Sequence, residues 1–105
     1  METQALIEDL NRSYSLELRD VGALDELEAL LAEKINTMIQ RDFGGLVQLL
    51  YRVDVSEKRL RGLLQENAGE DAGKVIARLV LERQWQKIET RRKYPPNTDS
   101  DEERW

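Results

Sequence analysis

Histidine and cysteine are both absent from the 105-residue chain, and they are the side chains most often used for catalysis or metal binding near neutral pH. Without cysteine there is no disulfide framework, which is compatible with a reducing compartment. Without histidine, a serine or threonine nucleophile has no imidazole base to activate it. The five lysines lie among polar or charged neighbours. We therefore expect no enzyme activity, no catalytic or metal-binding residue and no cofactor.

Long hydrophobic runs are also absent. No apolar segment approaches the roughly 20 residues that span a bilayer. The N-terminal residues METQALIEDL lack the basic start and apolar stretch of a secretory signal. The sequence therefore predicts a soluble, cytoplasmic protein with no membrane partner.

Helical periodicity is what the chain does contain. No proline lies between Val21 and Tyr94, and apolar residues recur there every three or four positions, as on one face of an α-helix. The clearest stripe belongs to a helix from Ala23 to about Gln40. We predict an all-α fold, a small bundle of about three to four helices. Paired glycines lower helix stability, so the helix is expected to bend or stop at residues 42–45. The predicted segments are residues 4–11, 23–52 with a bend near Gly44-Gly45, 56–66 and 70–94.

The predicted domain covers residues 1–94, with residues 1–20 as a peripheral N-terminal segment. Residues 12–22 form a weak linker. Within it, Leu16 and Leu18 alternate with polar residues, which suits an extended piece, but a lone strand has no partner here.

The C-terminal residues 95–105 are expected to form a flexible acidic tail. Pro95-Pro96 stops the preceding helix, and the polar, acidic composition that follows is typical of disorder. Trp105, at its end, is interpreted either as a short recognition element or as a dangling residue.

The middle of the chain should supply the core. Residues 46–51 are apolar on more than one face of a helix, which predicts the most buried segment of the fold. We expect nearly complete burial of five side chains: Leu46, Leu50, Leu64, Ile76 and Leu79.

Two kinds of local pattern imitate functional sites. Residues 69–75, GEDAGKV, resemble a phosphate loop but have three residues between the glycines instead of four, and no strand precedes them. A helix start explains them better. The acid pairs Asp25 with Glu28 and Glu66 with Glu70 could each converge on a metal ion, but like charges at this spacing are ordinary on a solvated helix face.

The net charge of −5 is distributed unevenly. Residues 1–33 carry nine acids and two bases, whereas residues 78–94 carry six bases and two acids. This pattern has two interpretations. The acidic first helices lie beside the basic last helix within one bundle, or one of these surfaces binds a partner.

The basic last helix is the candidate partner-binding site. A second copy could bring its acidic N-terminal helices against this helix, forming a homodimer that salt weakens. Arg83 and Lys87 are expected on its solvent-exposed face, and Trp85 is either a core-edge residue or an interface anchor. The alternative function is a nucleic-acid-associated regulator that contacts phosphates through the same helix. The candidate residues are Arg78, Arg83, Trp85, Lys87, Arg91 and Arg92.

Two blocks of the sequence resemble a known group of proteins. Residues 42–64, DFGGLVQLLYRVDVSEKRLRGLL, with residues 75–94, VIARLVLERQWQKIETRRKY, look like short, uncharacterised helical proteins encoded in bacterial genomes. The resemblance covers roughly residues 34–94. It implies a compact bacterial domain, and it implies no activity and no site residue. Helices this short expose much of their leucine surface in a monomer, and burying that surface favours association. The predicted function is therefore a non-enzymatic helical interaction module that associates with itself or with another protein.

Overall fold

A computed structural model describes residues 1–94 of the protein, so the predicted tail and Trp105 lie outside the described residues. Over this range the chain forms helices and no strand, which confirms the all-α prediction. No helix in this range is both long enough and apolar enough to cross a membrane. The helices are α1 (Thr3–Tyr14), α2 (Leu24–Arg41), α3 (Phe43–Val53), α4 (Glu57–Glu66) and α5 (Ala72–Lys93).

The centre of the fold is the contact between α2 and α5, the most extensive between any two helices. The stripe predicted for α2 supplies Leu27, Leu31 and Ile35, which are fully buried. Their spacing of four residues keeps them on one side of the helix, where burial of each side chain stabilises the fold by about 1.5–3 kcal/mol.

A glycine allows these two helices to approach closely. A Cβ atom at Gly73 would lie 2.6 Å from the carbonyl oxygen of Ala32 and would also collide with the side chain of Asn36. In the space that remains, the Asn36 amide accepts a hydrogen bond from the Gly73 N–H at 3.1 Å. The same amide donates to the Asp71 carboxylate at 2.8 Å, so one side chain joins α2 to the start of α5.

The string that resembles a phosphate loop is a helix start, as predicted. The side chain of Asp71 accepts a hydrogen bond from the Lys74 N–H at 3.0 Å and caps α5. An acidic cap satisfies an otherwise unpaired N–H group and complements the positive end of the helix dipole.

The predicted bent helix over residues 23–52 is instead two helices, so the described chain has five helices rather than three or four. The break lies at Asp42, whose backbone leaves the helical region and whose side chain accepts a hydrogen bond from the Gly45 N–H at 3.0 Å. A Cβ atom at Gly45 would lie 2.2 Å from that carboxylate. The glycine thus leaves room for the cap that starts α3, and the cap separates the helices.

The predicted core is correct in three positions and wrong in two. Leu46, Ile76 and Leu79 are buried, whereas Leu50 and Leu64 are only half-buried. The reason for Leu64 is that α4 lies at the edge of the fold and has no buried residue at all. Leu50 lies at the boundary between the inner and outer sides of α3.

The N-terminal segment, expected to be peripheral, belongs to the core. On α1, Leu6 and Leu10 are fully buried, and the following Leu16 and Leu18 are buried as well. The extended piece does have a partner, the side chain of Asn11. Its amide donates to the Leu18 carbonyl at 2.9 Å and accepts from the Leu18 N–H at 2.8 Å, as a neighbouring strand would.

Candidate protein-interaction face

The cations of α5, predicted to bind a partner, are engaged within the chain itself. Arg78 donates to Glu70 at 3.0 Å and to Glu28 at 3.3 Å. Each of the two acid pairs that the sequence suggested as metal ligands therefore has one member held by this arginine. In residues 1–94 no group of three acidic side chains is placed to hold a metal ion.

Arg83 and Lys87 bind the carboxyl end of α3. The guanidinium of Arg83 donates to both the carbonyl and the carboxylate of Asp54 at 3.1 Å, and the Lys87 ammonium donates to the carbonyl of Arg52 at 3.2 Å. Cations are favourable at this end of a helix because its last carbonyls are unpaired. Both residues are half-buried, so the expected solvent-exposed face is only partly exposed at these two positions.

Arg91 takes part in a polar cluster that joins α1 to α5 around a buried carboxylate. Asp9 is 2% exposed, and its carboxylate accepts hydrogen bonds from Arg91 at 2.8 Å, from Arg12 at 2.7 Å and from the side-chain amide of Gln84. The Gln84 carbonyl in turn accepts from the Tyr14 hydroxyl at 2.9 Å. A buried carboxylate needs such donors because burying an unpaired charge is costly.

Two opposing effects set the pKa of Asp9. Burial, the larger single effect, would raise the pKa of this carboxyl, but the hydrogen bonds from Arg91 and Gln84, the charge of Arg91 and the hydrogen bond from Arg12 together hold it below its usual value. Asp9 is therefore ionised in the folded protein at neutral pH. The charge is a structural feature of the α1–α5 contact.

The last candidate residues, Trp85 and Arg92, contact each other. The guanidinium carbon of Arg92 lies 5.4 Å from the centre of the Trp85 ring, and its nitrogens donate to Glu2 at 2.5 and 3.0 Å. The hydrogen bond from Arg92 lowers the pKa of Glu2. Trp85 is half-buried at the edge of the core, with one face of its ring covered by a side chain of its own helix.

These contacts bring the acidic N-terminal part of the chain beside its own basic last helix. Phosphate groups of a nucleic acid would have to compete with intramolecular carboxylates or carbonyls for Arg78, Arg83 and Arg91. Three of the nine acids in residues 1–33, Glu2, Asp9 and Glu28, thus form ion pairs with α5 within one bundle.

A different surface, which was not predicted from the sequence, is exposed to solvent. Phe43, Val47 and Tyr51 of α3 are 61%, 51% and 85% exposed. Spaced four residues apart, they lie within an arc of about 80° on the helix. Gly44 lies beside them, and nothing beyond its chain neighbours and its own helix backbone lies within 4 Å of where its Cβ would be. We call these four residues the outer face of α3.

The expectation that residues 46–51 form the most buried segment is wrong for this reason. α3 carries apolar residues on two sides, and only the inner side, with Leu46, Leu49 and Val53, is buried. The signal for the outer face was the spacing of Phe43, Val47 and Tyr51. A helix that is apolar on all sides is predicted to be wholly buried. A second apolar stripe that stays exposed in the fold is therefore not recognised from composition.

No model of a known protein family, no curated protein and no solved structure matches this chain. The resemblance to short bacterial helical proteins therefore stays a prediction.

Proposed function

We propose that this chain is a non-enzymatic interaction module that binds a protein through the outer face of α3. The observation that carries this proposal is the exposure of Phe43, Val47 and Tyr51 on one side of a single helix. Contiguous apolar patches on a soluble protein mark interaction sites, and aromatic residues are enriched in such sites.

The simpler explanation is that exposed hydrophobic residues are common and need no function. That explanation suits isolated residues, such as Met1 or Leu24 of this chain. It suits the outer face of α3 less well, because two aromatic side chains and a valine form one stripe. From Phe43 to Tyr51 the sequence also contains no charged residue, although charged residues make up 35% of the chain.

The proposal moves the binding site from α5 to α3. The cations of α5 have partners within the fold, whereas the outer face of α3 has none among residues 1–94. We retain the cytoplasm as the proposed location, since a chain without cysteine suits a reducing compartment.

Site-specific photocrosslinking in the native host tests the proposal. A benzophenone side chain at position 51, on the outer face, should form a covalent adduct with one defined protein. The same group at Gln65, exposed on α4, should not. The captured protein is then identified by mass spectrometry, purified and titrated against this chain. The affinity measured in this titration, and not the adduct alone, decides the test.

In that titration, Val47→Glu should weaken binding at least about tenfold, since a charge replaces an apolar contact. Gln48→Glu adds the same charge at the next position, outside the outer face, and should bind like the parent chain. Equal affinity of the Val47→Glu variant would contradict the proposal. A second copy of this chain counts here as a protein partner.

A further inference from the structure

We infer that the occupant of the outer face of α3 is the same face of a second copy, packed antiparallel across a twofold axis at Val47. This inference rests on the proposed function, because it names the partner of the same surface. Three properties of α3 carry it: the arrangement of its side chains, its neutrality and its length.

The arrangement of side chains is complementary to itself. On a helix with 3.6 residues per turn, Phe43 and Tyr51 lie symmetrically about Val47, one turn before it and one turn after it, and so do Gly44 and Leu50. An isologous dimer requires such a surface, since each residue must fit what the rotation places opposite it.

With the two helix axes antiparallel, Val47 meets its counterpart on the axis. The large Tyr51 of each copy then lies over Gly44 of the other, where the space around the missing Cβ is open. Phe43 lies against the half-buried Leu50 of the other copy. A large side chain over a glycine lets two helices pack closely along one short stretch.

The charges around α3 permit this pairing. The helix has no ionisable side chain from Phe43 through position 50, and each end carries one acid and one base. Arg41 and Asp42 precede the outer face, and Arg52 and Asp54 follow it. In an antiparallel pair, each end of one α3 therefore faces an end of the other, and both of these ends have zero net charge.

The length of the face predicts a weak, reversible dimer. Eleven residues of helix span about 16 Å, so the contact belongs with small interfaces, below about 1,200 Å² in total, that are typical of transient complexes.

Each copy has a net charge of −5, so the two copies repel at low salt. Added salt screens this repulsion and leaves the apolar contact intact, and the dimer should be as stable or more stable in high salt. A dimer held by the acidic N-terminal helices and basic α5 would weaken instead.

Charge variants on the axis test the inference. Val47→Glu places two carboxylates opposite each other in the dimer, and Val47→Lys places two ammonium groups there. Each variant alone should be monomeric, whereas an equimolar mixture should form a mixed dimer because the charges attract. The measurement is sedimentation equilibrium of the full chain from about 5 μM to 500 μM, in 50 mM and 500 mM NaCl, with proteins of distinguishable mass in the mixture.

Gln48→Glu is the matched control and should dimerise like the parent chain. Tyr51→Glu, at the most exposed of the three apolar side chains of the face, is a second disrupting variant, and far-UV circular dichroism checks that every variant is folded. We expect the parent to show a monomer–dimer equilibrium and each disrupting variant to weaken it at least about tenfold.

Four outcomes would overturn the inference. They are a parent chain that stays monomeric at 500 μM, variants that dimerise like the parent, a mixture that fails to associate, and a parent dimer that salt weakens. None of these four outcomes changes the interpretation of the crosslinking experiment. If position 51 captures another protein whose binding Val47→Glu weakens, the proposed function stands and the second copy is excluded as the occupant.

Discussion

α3 and α5 differ in how their composition relates to what surrounds them. α3 has nine uncharged residues in succession, yet its aromatic side chains face solvent. α5 carries the densest positive charge of the chain, yet Arg78, Arg83 and Arg91 are paired with acids of their own bundle. Composition gives the number of apolar or charged groups on a helix. The number of these groups that can bind a partner depends on which side of the helix faces the core.

The largest effect should distinguish the two sides of α3. Leu46→Ala removes a side chain that is 2% exposed and should lower the free energy of unfolding by about 2–5 kcal/mol. Val47→Ala, one residue further on, should change it by less than about 0.5 kcal/mol, because that side chain faces solvent. Urea denaturation of both variants, in dilute protein, measures the difference. Similar losses at the two positions would mean that α3 has no outer side.

The next effect concerns the internal pairing of α5. Asp9→Ala leaves the buried amide of Gln84 without its acceptor and deprives Arg91 of its carboxylate, which should cost about 1–3 kcal/mol. Glu8→Ala, at the exposed neighbouring position, is the control and should be nearly neutral. Equal stability of the Asp9→Ala variant and the parent would show that the polar cluster around Asp9 contributes nothing to the α1–α5 contact.

The contribution of Asp9 should also depend on pH with a definite sign. Its pKa is lower in the folded protein than the usual value of about 3.9. The stabilisation is therefore fully present above about pH 4 and is lost as the pH falls through the folded-state pKa. Thermal melts between pH 7 and pH 2 should show the Tm difference between the parent and Asp9→Ala narrowing at the acidic end. A difference that grows on acidification would contradict this sign.

Smaller effects are expected when one glycine of α5 and one glycine of α3 are each replaced by alanine. Gly73→Ala puts a methyl group against the carbonyl of Ala32 and should destabilise the protein by about 1–2 kcal/mol. Gly44→Ala adds the same methyl group in open space on α3, where the higher helix propensity of alanine should stabilise the chain by about 0.5–1 kcal/mol. Thermal or urea unfolding should thus give changes of opposite sign. Changes of the same sign would contradict the close approach of α2 and α5.

The smallest effect is expected at the exposed end of α5. Arg92→Gln removes the ion pair with Glu2, but both side chains are more than half exposed, so water and salt replace the interaction. We expect no measurable shift of the unfolding midpoint. A clear loss of stability would show that this end of α5 anchors the N-terminus, and that internal pairing of α5 extends along its whole length.

The sequence predicted well what periodicity controls. The all-α class, the inner stripe of α2 and the start of α5 at an acidic cap follow from apolar spacing and helix-end chemistry. Paired glycines predicted a bend or a stop at residues 42–45, but they did not decide between the two, because the decisive interaction is the side-chain cap of Asp42 onto Gly45. The pairing of the extended piece was missed because its partner, which bonds the backbone of Leu18, is the side-chain amide of Asn11, and a sequence pattern of strands does not reveal one.

The candidate site could be predicted less well, for a physical reason. The cations of α5 are visible in the sequence, but their partners Glu28, Asp54 and Asp9 are distant in sequence and close only in the fold. The outer face of α3 was visible as a spacing of four residues. Which of the two stripes of this helix is buried depends on how the chain leaves α2, and the apolar pattern of α3 alone does not determine it.

The break at Asp42 has a consequence for how this molecule can change over evolutionary time. Had α2 continued without interruption, the rotation of every residue from 43 to 53 about the helix axis would be set by the α2 stripe. With the two helices separated by one non-helical residue, the core constrains chiefly the inner residues Leu46, Leu49 and Val53. Positions 43, 47 and 51 lie outside that core. Because Asp42 separates the two helices, substitutions on the outer face of α3 can change what this face binds without lowering the stability of the fold.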